Sequence, residues 1–324
     1  MSKKTSDPKA PARAAPPRAP AAPRYTVEAL PIARAILLLV VAAAASHVSQ
    51  ISLAPVYGDI PSSLHHDQFT TYIFLGVWAV KSITHLSWSP FRGSFLIPAL
   101  LLLTPAILLN AFRLSTELGP INGPIATEAL TYYPLVLLAS AAAASLTAPS
   151  NILHDVLPMG ASFIIFSYAK SELPKLLFPY IGTHAALTRC GLYHVLGAAS
   201  AIASPSVALL ATLPAIYHSY THNPLCVDTP ALNVTLNAYN HTLIARQESN
   251  TGYISILDNF EVGYRVMRCD HSLLGGEWQS PPKGLEKHDR PNFKEPIYAI
   301  FVIMEAVRLV VPAPKNPQPS ALAM

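Results

Sequence analysis

The feature that most constrains this chain is a stretch of 198 residues, 25–222, that carries only fourteen charged side chains. An ordinary soluble domain carries roughly 25% charged residues. The flanks differ: residues 1–24 hold seven charges, six of them basic, and residues 223–324 hold nineteen. The overall 12% charge therefore averages a basic tail, a long apolar middle and a normal polar end. Such a distribution excludes a soluble globular fold, a disordered chain and a nucleic-acid-binding protein as descriptions of the whole. It predicts a polytopic membrane protein, integral and multi-pass, whose partner is the lipid bilayer.

The tail (1–28) is rich in proline and alanine and cannot build a packed core, so it reads as disordered. A helix crossing about 30 Å of hydrocarbon needs about 20 mostly apolar residues. Segments of that kind lie at 31–53, 70–87, 94–112, 126–147 and 152–169, with two more near 176–195 and 197–219. The count is seven spans, with six or eight open. Basic residues beside a span favour the cytosol, which places the tail there. Seven spans would put the polar end outside the cytosol, and six or eight would put it inside.

Few charges fall in these segments, among them Lys81, Glu128, Asp155 and Arg189. An intramembrane charge is by default a functional-site hypothesis. The structural alternative is a side chain snorkelling from a helix end. Glu128, Asp155 and Arg189 are the candidate intramembrane sites. Histidines 47, 85, 154, 184 and 194 fit no metal-ligand spacing, and the three cysteines, Cys190, Cys226 and Cys269, read as unpaired thiols. No metal is expected.

Beyond Asn223 the pattern changes to short alternating runs separated by turn residues. LNVTLNAY (232–239), HTLIARQES (241–249), GYISILDN (252–259) and GYRVMRCDH (263–271) predict a small antiparallel sheet of about four strands. Asn233 and Asn240 each begin an Asn-x-Thr glycosylation triplet. Glu295–Val311 has helical periodicity.

The run GYISILDNFEVGYRVMRCDHSLLGGEW, followed by EPIYAIFVIMEAVRLV, resembles the start of the spermidine/spermine synthase family, in its fungal membrane-anchored form. Ser249, Gly252–Asn259 and Tyr264–Asp270 follow the order of that family's small β-hairpin domain, and Glu295 and Tyr298 match the entry to its first core helix. The resemblance implies a membrane-anchored protein of polyamine biosynthesis, an aminopropyl transferase by family, with Asp270 and Tyr298 beside the substrate. The family's cofactor loop is a glycine-rich turn between strand and helix, whereas the Gly-Gly pair here, Gly275-Gly276, sits at a hairpin end. Decarboxylated S-adenosylmethionine would be a substrate of a full-length relative. This chain is expected to hold no cofactor, no catalytic residue and no transferase activity, being truncated before the methyltransferase-like α/β core.

The expected fold class is thus a mainly α-helical polytopic membrane bundle, a small antiparallel β-hairpin domain, and the first helix of an absent core. The expected units are residues 1–28, 29–222, 223–294 and 295–324. A homo-oligomer through the β domain is expected, with no nucleic-acid partner. The rival reading is a multi-span transporter or scaffold that functions through its bundle.

Overall fold

A computed structural model describes residues 29–84, 94–147, 152–270, 272–280 and 295–298. The tail 1–28, His85, the loop 281–294 and most of the expected helix 295–311 lie outside the described residues.

Ten helices precede a sheet: α1 (Ala29–Tyr57), α2 (Asp59–Leu64), α3 (His66–Thr84), α4 (Leu96–Arg113), α5 (Ser115–Leu130), α6 (Tyr133–Ala144), α7 (Ile152–Leu177), α8 (Arg189–Ala203), α9 (Leu213–His222) and α10 (Thr229–Asn237). α1 runs through the middle and packs on α5, α6, α7 and α8, while α4 packs on α8 and α9. Its buried Ala42–Ala45 run and the Ala141–Ala144 run of α6 contribute small side chains to one apolar core. Alanine lets helix backbones approach closely. Gly123 of α5 lies flat on the Tyr57 ring, where a Cβ would come within 2.1 Å of it. The Asn223 side chain donates to the Pro105 carbonyl at 2.7 Å, tying the end of α9 to α4.

By length and apolarity, α1 and α4 can each cross a membrane, and the α5–α6 pair, bent by 42° at its break, would make a third if it is one span. Among the described residues this is two or three such helices, against the seven spans expected. α3 carries Asp67 and Lys81, and α7 carries Asp155, Lys170, Glu172 and Lys175. α8 and α9 are 15 and 10 residues long. Residues 176–195 form no single helix: α7 ends at Leu177, and short 3-10 turns follow at Phe178–Tyr180 and Ala185–Leu187. Gly182 stands between them with φ +75°. Proline and left-handed glycine break a helix that hydropathy alone would continue.

The sheet is a five-stranded antiparallel meander: β1 (His241–Ser249), β2 (Gly252–Asn259), β3 (Tyr264–Cys269), β4 (Ser272–Trp278) and β5 (Glu295–Pro296). Three of the expected strands stand, and 232–239 is corrected. Asp228 accepts from the Ala231 amide at 3.0 Å and, with Pro230, starts helix α10 there. Leu232 and Leu236 then fall on one helical face and cover Leu243, Leu257 and Val266 of the sheet. Gly275-Gly276 lies inside β4 and not at a hairpin end. A Cβ on Gly276 would meet the Arg265 carbonyl at 2.5 Å, so the neighbouring strand requires glycine. Glu295 and Pro296 pair with Trp278 and Glu277 as an edge strand, where a helix was expected to begin. The fold is therefore helices followed by a meander, and the described residues hold no first helix of a methyltransferase-like core.

Candidate functional site

The charged residues singled out from the sequence separate into three clusters. In the first, Glu128 Oε1 accepts from Ser49 Oγ at 2.8 Å, Gln50 Nε2 at 3.2 Å and His66 Nδ1 at 2.7 Å. The other ring nitrogen, Nε2, lies 2.7 Å from Ser46 Oγ, so the His66 ring bridges Glu128 and Ser46. The His66 ring stacks on Tyr132, with centroids 4.9 Å apart. In the second, Asp155 accepts from Lys81 Nζ at 2.8 Å, Ser82 Oγ at 2.9 Å and Thr147 Oγ1 at 3.3 Å. Lys81 also lies over the Trp78 ring. Neither cluster snorkels: both are buried among helices. His66 was missed because its partner lies 62 positions away.

The third cluster joins helices to sheet. Arg189 opens α8 and is only 2% exposed. Its backbone N–H and its Nε both donate to Glu248 Oε1, at 2.9 and 2.6 Å, and its NH2 donates to Asp270 Oδ2 at 3.1 Å. Burial works against the guanidinium charge, but Asp270 and Glu248 hold it above its ordinary value. Arg189 is therefore a latch between α8 and β1, not an isolated intramembrane charge. Asp270, expected beside a substrate, is the second arm of that latch and also accepts from the Tyr253 amide at 3.1 Å. Tyr298, the other expected substrate neighbour, donates to the Leu273 carbonyl at 3.1 Å on the sheet edge. The latch depends on glycines: a Cβ on Gly182 would lie 1.9 Å from the Glu248 carbonyl oxygen, and one on Gly191 2.1 Å from that of Ala185.

Beside this latch a cleft of about 770 Å³ opens between α8, the end of α9 and β1. His184, His194, Tyr220, Asp228, Arg246 and Glu248 are among its walls. Cys190 and Cys226, also in its wall, form a disulfide, which corrects the reading of unpaired thiols; Cys269 is free. The two cysteines are 36 positions apart, and the packing of α8 against the segment after α9 brings them together. Arg246 stacks on Tyr253, 3.6 Å from the ring centroid, and donates to the carbonyls of Val227 (3.0 Å) and Pro224. His194 stacks on Tyr220 at 5.2 Å. Burial pushes its imidazole below the usual histidine range, so it is neutral at pH 7.

Two buried atoms in the cleft wall have no hydrogen-bond partner among the described residues: Glu248 Oε2 and His194 Nε2. Buried polar atoms are usually satisfied, and these two, with the cleft's histidines and charged residues, make it the candidate site. Nothing local marked Glu248 in the sequence. Among the described residues no group of three or more His, Cys, Asp or Glu could hold a metal ion. Asn240 is exposed, with its side chain on Glu261, whereas Asn233 is half-buried and accepts from the Leu243 amide at 2.8 Å.

Removal of the disulfide by Cys190→Ser with Cys226→Ser is expected to destabilise the chain by about 2–5 kcal/mol, because the bridge restricts the unfolded ensemble. Thermal unfolding of the purified chain with and without reductant measures it; identical midpoints would mean that the bridge contributes nothing.

No protein-family model matches the chain, and no solved structure matches it. The chain is similar to the N-terminal histidine N-methyltransferase of Emericella nidulans, with 40% identity over 294 residues. That similarity covers 88% of this chain and 52% of the relative, so the chain spans about half the relative's length. It overturns the resemblance to spermidine/spermine synthases, and with it polyamine biosynthesis, aminopropyl transfer and the transporter or scaffold alternative. The resemblance rested on about 80 residues of alternating pattern and turn chemistry, which any antiparallel meander shares. It also stands against the expectation of no cofactor in this chain, since the relative is named as a methyltransferase, an activity that draws on a methyl donor.

Proposed function

We propose that this chain takes part in methylating the nitrogen of N-terminal histidines, with S-adenosylmethionine as methyl donor. The observation that supports the reading is 40% identity sustained across 294 residues, through helices and sheet alike. The cleft supplies a place for the acceptor. It does not suit the donor as a whole, because the donor's carboxylate needs a cation, and Arg246 is already spent on two backbone carbonyls and Arg189 on two carboxylates. The residues in the cleft can bind and orient an acceptor and, at His194, accept or give a hydrogen bond.

We also propose that the chain is an integral, multi-pass membrane protein held by α1 and α4, the helices long and apolar enough to cross. Large apolar side chains on the outside of the helices support this, among them Leu157 (81% exposed), Ile164 and Tyr168 on α7 and Ile202 on α8. The disulfide in the cleft wall supports an oxidising compartment for the cleft. There Asn240 would be the better glycosylation acceptor, being exposed.

Deleting the gene from its host and reading N-terminal histidines by peptide mass spectrometry tests the function. The expected result is loss of the methylated form, restored by re-introducing the gene. Unchanged methylation would overturn the reading.

A further inference from the structure

We propose that Glu248 seats a protonated α-amine, that of the first residue of an acceptor chain, and that the ring of that residue lies against His194 and Tyr220. The amine seat follows from the geometry; the identity of the ring rests on the histidine reading above.

Glu248 is 3% exposed and uses a single oxygen: Oε1 takes both bonds from Arg189, and Oε2 takes none among the described residues. An ionised carboxylate has about four acceptor sites. Burying one oxygen without a donor is costly. Among the described residues the nearby cations are already engaged, since Arg189 is shared with Asp270 and Arg246 faces backbone carbonyls. Among the described charged residues that line the cleft, Arg246 stands against Asp228 and Glu248, one positive group against two negative. One negative charge remains unmatched, so a cationic ligand is favoured and an anion is not. An ammonium has three N–H donors and is a compact charge, which suits one orphaned oxygen.

The second orphan sets the other end of the ligand. His194 Nε2 is buried without a partner, and its ring forms a stacked pair with Tyr220 in the same wall. A flat ring with its own nitrogens can stack there and hydrogen-bond to Nε2, as an imidazole does. The donor also carries an α-ammonium beside a distant ring system. Its carboxylate argues against it, whereas the first residue of a peptide carries a neutral amide at that position.

The test uses the full chain purified in detergent and a six-residue peptide that begins with histidine and is fluorescent at its far end. Binding is read by anisotropy. N-acetylation of the peptide removes the charge with no change to the protein, and is expected to weaken binding at least tenfold. Glu248→Gln keeps an acceptor for Arg189 but removes the charge, and is expected to do the same. His194→Phe keeps the ring stack and removes the nitrogen, for a loss of several-fold. Equal binding of free and acetylated peptides would overturn the seat, whatever the variants do. If S-adenosylmethionine binds the chain, displaces the peptide and loses its own affinity in Glu248→Gln, the seat belongs to the donor and the proposal falls. If a peptide beginning with alanine binds as tightly as the histidine one, and acetylation still costs tenfold, the amine seat stands while the histidine assignment fails. If histidine methylation in the host depends on the gene but acetylation leaves binding unchanged, the proposal falls alone and the function survives.

Discussion

Replacing Arg189 with methionine is expected to cost about 3–5 kcal/mol and to separate sheet from helices. The size follows from what the substitution leaves behind. Removing one partner of a buried ion pair strands an uncompensated charge, and that penalty is about 3–5 kcal/mol. Here two carboxylates are stranded, Glu248 with a fully buried side chain and Asp270 with a nearly buried one. The start of α8 also loses its hold on β1, because Glu248 takes both bonds from Arg189. Thermal unfolding followed by limited proteolysis measures both effects: a lower midpoint, and earlier cleavage near residues 204–228. A midpoint within experimental error of the parent would mean that the latch contributes nothing net. Glu172→Gln is the control. Its partner Lys175 lies one turn away in solvent, and no resolvable change is expected.

The second large effect is expected at Glu128. Glu128→Leu removes the acceptor shared by Ser49, Gln50 and His66. Each buried donor left without a partner costs about 1–3 kcal/mol. Partial relaxation between them leaves an expected loss of about 3 kcal/mol. A double substitution, Glu128→Leu with His66→Leu, is the discriminating measurement. Replacing both partners by apolar groups of similar size can be nearly neutral, so the double variant should regain part of the loss. Additive losses would show that His66 and Glu128 act separately, against the geometry of the Ser46–His66–Glu128 chain.

The extent to which the candidate site was legible follows the range of the interactions. Glu128, Asp155 and Arg189 stood out because charge is rare in an apolar run. Their pairing did not stand out, although Lys81 was among the same rare charges and Asp270 was noted for another role. Lys81 lies 74 positions from Asp155, and Glu248 lies 59 from Arg189. Glu248 sits in an ordinary polar strand where a glutamate attracts no notice. The Cys190–Cys226 bridge was invisible for the same reason: its spacing belongs to no motif, and tertiary packing alone makes it. Residues 232–239 show the opposite failure. Their alternation mimics a strand, but an Asp228 cap and Pro230 start a helix that covers the sheet.

By itself the sequence determined the local order: a helical apolar part, then a polar part with hairpin strands read at 241–249, 252–259 and 263–271, the last observed as Tyr264–Cys269. Periodicity, turn residues and charge density act over a few positions, so they can be read along the chain. It also determined which few charges could not be left in apolar surroundings alone. Only the tertiary structure decided how those charges were paired, that α8 meets β1 through Arg189 and Glu248, and that Gly182 and Gly191 allow that approach. It alone placed a disulfide, a histidine–tyrosine stack and two unpartnered atoms around one cleft. Those depend on contacts between residues far apart in the chain, and a buried atom's need for a partner exists only once the fold has removed water from it.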